Sequence, residues 1–320
     1  MADQELDLFK NVCAGRYTLD IPKGSRITAG FFKNDAYHFA FDKQKPEGNE
    51  TTSLISGSKR LDIWESRVER LRVRDDPKIQ YITKQLQGNI RHLAYYSLFE
   101  TSSRSTHMLD TYMLRDIPKI KASISSLMNF NLKNFKSSDK NYPVKYKENL
   151  NYALSKQEEI IYQPWPHKQL GICLNNEILI NSVTASLNEL FSVKWYNGKE
   201  SMIELTSRAY EADDAAHMQN EIDSILKLNQ YFANSKLSVA NRNGRVIIQS
   251  AGYSPSKIAF TWIATDAKAG STRFPYLEIT GYVEMKDFPE IAAKGLNETD
   301  LAIGWLKSIQ VRENGMVGTR

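Results

Sequence analysis

Cysteine, proline and glycine are scarce in this sequence. Its 320 residues include two cysteines, Cys13 and Cys173, so it has neither a Cys-x-x-Cys redox motif nor the closely spaced cysteines of a zinc site. Sixteen glycines and ten prolines exclude a collagen-like or low-complexity chain. The longest uncharged apolar runs, as at 258–264, are too short for a membrane-spanning helix. These absences indicate a globular protein, and at about 100–200 residues per domain the length predicts two domains.

The sequence shows no signal peptide. Its first nine residues have neither a positively charged segment nor an apolar core. Either the protein is cytoplasmic, or the chain is a mature form that begins with an added Met1. The residues alone leave both alternatives open.

Motifs of known catalytic sites are also missing. The sequence has no Gly-x-Ser-x-Gly elbow, His-Glu-x-x-His helix, Walker loop or Gly-x-Gly-x-x-Gly fingerprint, and its five histidines are scattered. We therefore predict that the protein is not an enzyme and holds no cofactor and no metal. Two alternatives stay open: an enzyme of unfamiliar type that uses His92, His107 and Glu100, and a non-catalytic scaffold.

Positive charge is concentrated in one stretch of the first half. The net charge is +5, and eight of the basic residues lie between Arg115 and Lys147, with Asp116 and Asp139 as the only acids there. Such a stretch is typical of a solvated face, and it could also steer an acidic partner toward the protein. Its aromatic residues form no RNA-binding motif, which disfavours a nucleic-acid partner.

Hydrophobic patterning predicts an α+β fold with mainly antiparallel sheets, because the strands come in hairpin-like groups with helices between the groups. The Asn243-Gly244 dipeptide predicts a hairpin turn between two of these strands. The predicted strands cover 15–22, 36–41, 90–99, 108–114, 178–180, 202–205, 237–239, 246–248 and 277–285. The predicted helices cover 61–71, 146–161, 218–232 and 299–309.

A domain boundary is predicted at Gln163-Pro-Trp-Pro166, because two prolines after a helix interrupt regular structure. The chain then divides into an N-terminal lobe over 1–162 and a C-terminal lobe over 163–320. Each lobe opens on a cysteine just before a strand-like run. The two thiols could be buried as small apolar groups, or they could form a disulfide in an oxidising compartment.

These opening segments carry a resemblance to a known family. Four segments resemble the type VI secretion immunity proteins that neutralise an antibacterial phospholipase effector. They are the run from Cys13 to Pro22, the run 163–174 with its Gly-Ile-Cys element, and the closing segments 280–285 and 299–309 with Trp305. The resemblance spans nearly the whole chain. It implies two α+β lobes arranged like a claw, a periplasmic location with the leader removed, and inhibition by gripping the effector.

Several residues follow as candidates for sites. We predict a disulfide between Cys13 and Cys173 that links the two lobes. An inhibitor without an active site must bind through its surface, where Trp, Tyr and Arg residues dominate the energy. We therefore expect the cognate phospholipase effector to contact the cleft between the lobes and two loops. One loop carries Trp195 and Tyr196 beside the Asn197-Gly198 turn, and the other carries Lys133, Lys136 and Lys140. The oligomeric state is not predicted.

Overall fold

The structure is a computed structural model of the whole chain. It describes residues 8–33, 37–43, 79–87, 90–101, 104–117, 122–131, 148, 151–152, 154–156, 158–181, 186–197, 200–228, 233–251 and 256–313. Within these ranges the chain combines antiparallel sheets with a few helices, which confirms the predicted α+β class. No helix in the described ranges is long and apolar enough to cross a membrane.

The chain forms two compact units. The first unit combines residues 1–34 with 161–320, and the second consists of residues 35–160. One division, at Ile161, falls beside the predicted boundary, but the first 34 residues belong with the C-terminal half. Their strands pair with strands of that half, and such long-range pairing leaves no local signal in the sequence. The claw-like arrangement stays a prediction.

The first unit is built on an antiparallel sheet whose strand order is β14-β15-β16-β17-β13-β12-β3. Strand β3 comes from the N-terminal segment and pairs along β12, with Phe32 opposite Phe191. The strands are β3 (Arg26–Lys33), β12 (Leu190–Tyr196), β13 (Met202–Arg208), β14 (Ala233–Val239), β15 (Arg242–Ser250), β16 (Lys257–Ala264) and β17 (Tyr276–Glu284).

One face of this sheet forms the core of the unit. Along β12 burial alternates, so Phe191, Val193 and Trp195 are buried while the residues between them are half-buried. The core also contains helix α3 (Glu298–Ser308), whose buried side includes Trp305 and Leu306. That helix was predicted over 299–309, and it begins at an Asn297 N-cap rather than at Thr299.

A helix packs on one end of the opposite face of the sheet. Helix α1 (Ala215–Leu228) packs Met218 and Ile222 against Tyr210, Ile263 and Tyr276. A short helix, α2 (Pro289–Ala292), follows β17 after one 3-10 turn.

Two small sheets complete the first unit. In the first, β2 (Tyr17–Pro22) pairs on one side with β1 (Phe9–Ala14) and on the other with β18 (Gln310–Val311). In the second, β11 (Ile178–Ile180) lies between β10 (Ile172–Asn175) and β9 (Ile160–Tyr162).

The predicted hairpin forms, because β14 pairs with β15, but its turn does not lie at Asn243-Gly244. Both residues lie inside β15, and the chain turns three residues earlier, at Ala240 and Asn241, whose φ angles are +51° and +60°. Gly244 is needed for packing, because the Trp262 ring of the neighbouring strand occupies the space that a side chain at this position would fill.

The second unit contains one antiparallel arrangement of strands in the order β4-β8-β7-β6-β5. The strands are β4 (Tyr37–Lys43), β5 (Ile79–Gln87), β6 (Ile90–Thr101), β7 (Arg104–Ile117) and β8 (Ala122–Asn131). The predicted strands at 36–41, 90–99 and 108–114 fall on β4, β6 and β7. The helix predicted over 61–71 lies outside the described residues.

Candidate functional site

Cys13 and Cys173 form a disulfide that joins β1 to β10, with their Cα atoms 5.9 Å apart. Backbone hydrogen bonds flank it, because the Gly15 N–H donates to the Cys173 carbonyl at 2.7 Å and the reverse bond measures 2.8 Å. Both cysteines lie in the first unit, so the expected link between two lobes is corrected to a link within one unit. The reason is that the N-terminal strands belong to the fold of the C-terminal half.

His167 lies beside this disulfide. Its Nε2 is 3.9 Å from the Cys173 sulfur, and its Nδ1 accepts a hydrogen bond from the Gln169 N–H at 3.3 Å. Burial, and then the charge of Arg312, lower the pKa of His167. Cys13, His167 and Cys173 are close enough to surround a metal ion, but the disulfide consumes both thiolates that such an ion would need. In this oxidised state the cluster is a structural link.

Trp195 is not presented at a loop tip, which corrects that part of the predicted partner interface. It is 1% exposed and points into the core from β12, and it lines a small cavity there together with Trp305. The indole N–H groups of these two residues have no hydrogen-bond partner among the described residues. The strand alternation that buries Val193 also buries Trp195, so its side chain cannot reach a partner.

Tyr196 points to the opposite face of the sheet and is half-buried. We call the outward side chains of β12, β13 and β17 the polar face: Ser192, Lys194, Tyr196, Met202, Glu204, Thr206, Glu278, Thr280 and Tyr282. In its centre Lys194 and Glu204 lie directly opposite each other and form an ion pair of 3.0 Å. The Ser192 hydroxyl donates to the same carboxylate at 2.8 Å. These contacts hold the centre of the polar face in one arrangement.

One end of the polar face is an aromatic strip. In the sheet register Tyr196 lies opposite Met202, and Met202 lies opposite Tyr282. Tyr282 is 41% exposed, which makes it one of the most exposed large hydrophobic side chains of the described residues. The ammonium group of Lys257 lies 5.7 Å from the centre of the Tyr282 ring and is paired with Glu200 at 2.7 Å. The strip therefore offers two aromatic rings and a thioether, bordered by charge.

The other end of the polar face is a network of phenols and carboxylates. Tyr276 donates to Glu278 at 2.8 Å, and Tyr210 donates to Glu221 of helix α1. The guanidinium of Arg208 lies 4.1 Å from the centre of the Tyr210 ring.

Burial is the main cause that raises the pKa values in this network. It raises the pKa of both phenols and of Glu278, and nearby carboxylates reinforce each shift. These groups are paired with one another, which favours a fixed polar surface over an acid–base pair.

The alternative catalytic set of the second unit is not brought together. His107 lies opposite Leu98, whereas His92 lies opposite Met113. At about 3.3 Å per residue, the six-residue separation along β6 places His92 roughly 20 Å from the position facing His107. A joint site of His92, His107 and Glu100 is therefore wrong. Lys133, Lys136 and Lys140 lie outside the described residues.

No model of a protein family matches the sequence, and no curated protein matches it. Two solved structures match most of this chain, and the first is similar to it in fold. The apo structure of immunity protein TplEi of the type VI secretion system (T6SS) from Pseudomonas aeruginosa has a TM-score of 0.54 and 15% identity, over 95% of this chain and 97% of that chain. The structure of TplEi complexed with "L" peptide has a TM-score of 0.48 and 16% identity, over 96% and 99% of the two chains.

Proposed function

We propose that this chain is an immunity protein that binds and inhibits a cognate type VI secretion phospholipase effector. The observation that carries the proposal is the fold shared with apo TplEi over nearly the full length of both chains. The motifs around Cys13, Gly171 and Trp305 support it independently, because they resemble the same class of protein. Inhibition then comes from binding alone, and the protein is not an enzyme.

The proposed location is the periplasm. Disulfides form and persist in oxidising compartments such as the bacterial periplasm. The Cys13–Cys173 disulfide fits that compartment, and a phospholipase effector delivered there would meet the immunity protein before it reaches its substrate.

We propose the aromatic strip of the polar face as one contact region for the effector. Tyrosine is enriched among residues that dominate binding energy, because a large rigid ring is desolvated at little cost in conformational entropy. Tyr196 keeps its predicted role, and Tyr282 replaces the buried Trp195 as the second aromatic contact. The basic stretch with Lys133, Lys136 and Lys140 remains the proposed source of electrostatic steering.

The function is tested by mixing the purified protein with its cognate effector and measuring phospholipase activity. Activity should fall to the background level once the immunity protein reaches a molar equivalent. Unchanged activity at molar excess would remove the proposal.

The surface is tested separately with single alanine variants. Tyr282→Ala and Tyr196→Ala should each raise the Kd for the effector by about tenfold or more, as expected for dominant contacts. Tyr162→Ala is the matched control, because Tyr162 is 40% exposed and lies on β9, away from the polar face. If all three variants bind as tightly as the parent, the effector is held elsewhere.

A further inference from the structure

A second small cavity lies in the first unit, at the ends of β12 and β13. Its walls include Arg16, Glu189, Phe191, Ser207, Thr272 and Pro275. Its volume is about 250 Å³ when the mouth that opens to solvent is included. The enclosed part alone has room for a species about the size of a water molecule. The contents of the cavity are therefore restricted to something very small.

One unpaired buried hydrogen-bond donor lies in the cavity wall, and another lies on a residue that contacts the wall. The Thr272 hydroxyl, on a residue 8% exposed, has no hydrogen-bond partner among the described residues. Arg242 donates through Nε to Asp266 at 2.7 Å and through Nη2 to the carbonyl of Pro275, a wall of the cavity, at 2.9 Å. Its Nη1 group has no partner in the described part of the chain. A buried donor without a partner destabilises the folded state, so a species that accepts from these donors is favoured.

One buried guanidinium group lies in the cavity wall, and two others contact or neighbour residues of that wall. Arg16 is paired with Glu189, and Arg242 is paired with Asp266. Arg312 is 3% exposed and donates to the backbone carbonyls of Gln169 and Gly171, and its own N–H donates to the Arg16 carbonyl at 2.9 Å. Burial, and then the charge of Arg16, lower the pKa of Arg312 to about 10. Of these three buried guanidinium groups, that of Arg16 lies in the cavity wall and that of Arg242 reaches the wall at Pro275.

The Tyr17 phenol connects these charges to the cavity. It is fully buried, and burial raises its pKa, while the charge of Arg242, a contact with Ser207 of the wall, and the charge of Arg16 act against that rise. Tyr17, both arginines and Ser207 are therefore neighbours. A carboxylate in the wall would repel an anion. Among the described residues of the wall the one carboxylate is that of Glu189, and both of its oxygens accept hydrogen bonds of 2.6 Å from Arg16.

We propose that this cavity binds a monatomic anion, chloride under physiological conditions, held by the Thr272 hydroxyl and by the field of Arg16 and Arg242. Buried donors without an acceptor favour an acceptor without hydrogen atoms, and the small enclosed volume favours a monatomic ion over phosphate, sulfate and organic anions. The site ties the N-terminal segment that carries Arg16 to the 271–275 loop. It goes beyond the proposed function and holds whether or not the chain inhibits a lipase.

The first test is thermal unfolding of the full chain in sodium chloride and in sodium gluconate at equal ionic strength. The Tm should rise as chloride replaces gluconate and should reach a plateau, because a ligand bound only to the folded state stabilises it. Thr272→Val should abolish most of that rise. Thr280→Val is the control, since it removes a hydroxyl from the polar face and should keep the full response. A Tm that ignores chloride, or an equal rise in Thr272→Val, overturns the proposal.

The second test does not depend on a variant that folds. Crystals of the parent protein grown in sodium bromide should give an anomalous scattering peak between Thr272 and Arg16. A cavity that contains only a water, with no anomalous signal at high bromide, rejects the anion site.

Discussion

Disruption of the buried ion pair between Arg16 and Glu189 should cost the first unit several kcal/mol of stability. Its two hydrogen bonds are both 2.6 Å long, and the side chains are 3% and 7% exposed. Glu189→Gln removes the negative charge but keeps the shape, so the Arg16 guanidinium stays buried without a counter-charge. Breaking a buried pair in this way lowers the free energy of unfolding by about 3–5 kcal/mol.

The same reasoning predicts recovery when both charges are removed. Replacing a buried pair by apolar residues of similar volume is often neutral or stabilising. The double variant Arg16→Met/Glu189→Leu should therefore regain most of the stability that Glu189→Gln loses. The loss in the single variant comes from an uncompensated charge, and the double variant has no such charge.

The assay is urea unfolding followed by tryptophan fluorescence. Four of the five tryptophans belong to the first unit, so the signal reports mainly on it. Glu200→Gln is the control, because it breaks the Lys257–Glu200 pair of 2.7 Å at a carboxylate that is 61% exposed, and should cost less than about 1 kcal/mol. The reasoning is refuted if Glu189→Gln costs no more than this control, or if the double variant is no more stable than the single one.

Three further results are expected in the same assay. Replacing both cysteines by alanine should lower the free energy of unfolding by roughly 5 kcal/mol, because the disulfide closes a loop over 160 positions; a loss below about 1 kcal/mol would contradict this. Gly15→Ala should destabilise the protein by more than about 1 kcal/mol, since Gly15 has a φ of +57° and faces the Phe191 ring. Gly304→Ala, in open space on helix α3, should instead stabilise it by about 0.5–1 kcal/mol. Equal effects of the two variants would contradict the packing of Gly15 against Phe191. Because the folded pKa of His167 lies below 6.5, the unfolded chain takes up this proton first, and the parent should lose stability as the pH falls through that value. His167→Gln should lose less stability over the same pH range, and a parent curve that matches the variant would rule out this role for His167.

Where one side of an element is buried and the other is exposed, the sequence predicts the element well. The alternation from Leu277 to Val283 becomes strand β17, because the inward residues pack in the core while Glu278 and Thr280 face the polar side. The periodic apolar residues around Trp305 likewise become helix α3. In both cases the spacing of apolar residues along the chain indicates which side of the element faces the core and which faces solvent.

Local signals fail where a residue serves a distant partner. Gly244 forms a turn dipeptide with Asn243, but it is there to admit Trp262 of the next strand. Trp195 precedes another such dipeptide, yet its place in the alternation of β12 buries it. The first 34 residues join the C-terminal half through long-range pairs such as Arg16 with Glu189, which are 173 positions apart. A prediction from short stretches of sequence never sees both members of such a pair.

The first unit combines residues 1–34 with residues 161–320, and this limits the order in which its parts can assemble. Strand β3 cannot pair with β12, and Cys13 cannot meet Cys173, until the intervening residues have been synthesised. At about 5–20 residues per second, a separation of 160 positions means a wait of roughly 10 to 30 s. During that interval strand β3 lacks its partner β12 and Cys13 has a free thiol. Completion of the first unit is therefore a late step of biogenesis, and the segment that carries Cys13 and β3 is among the last to become protected.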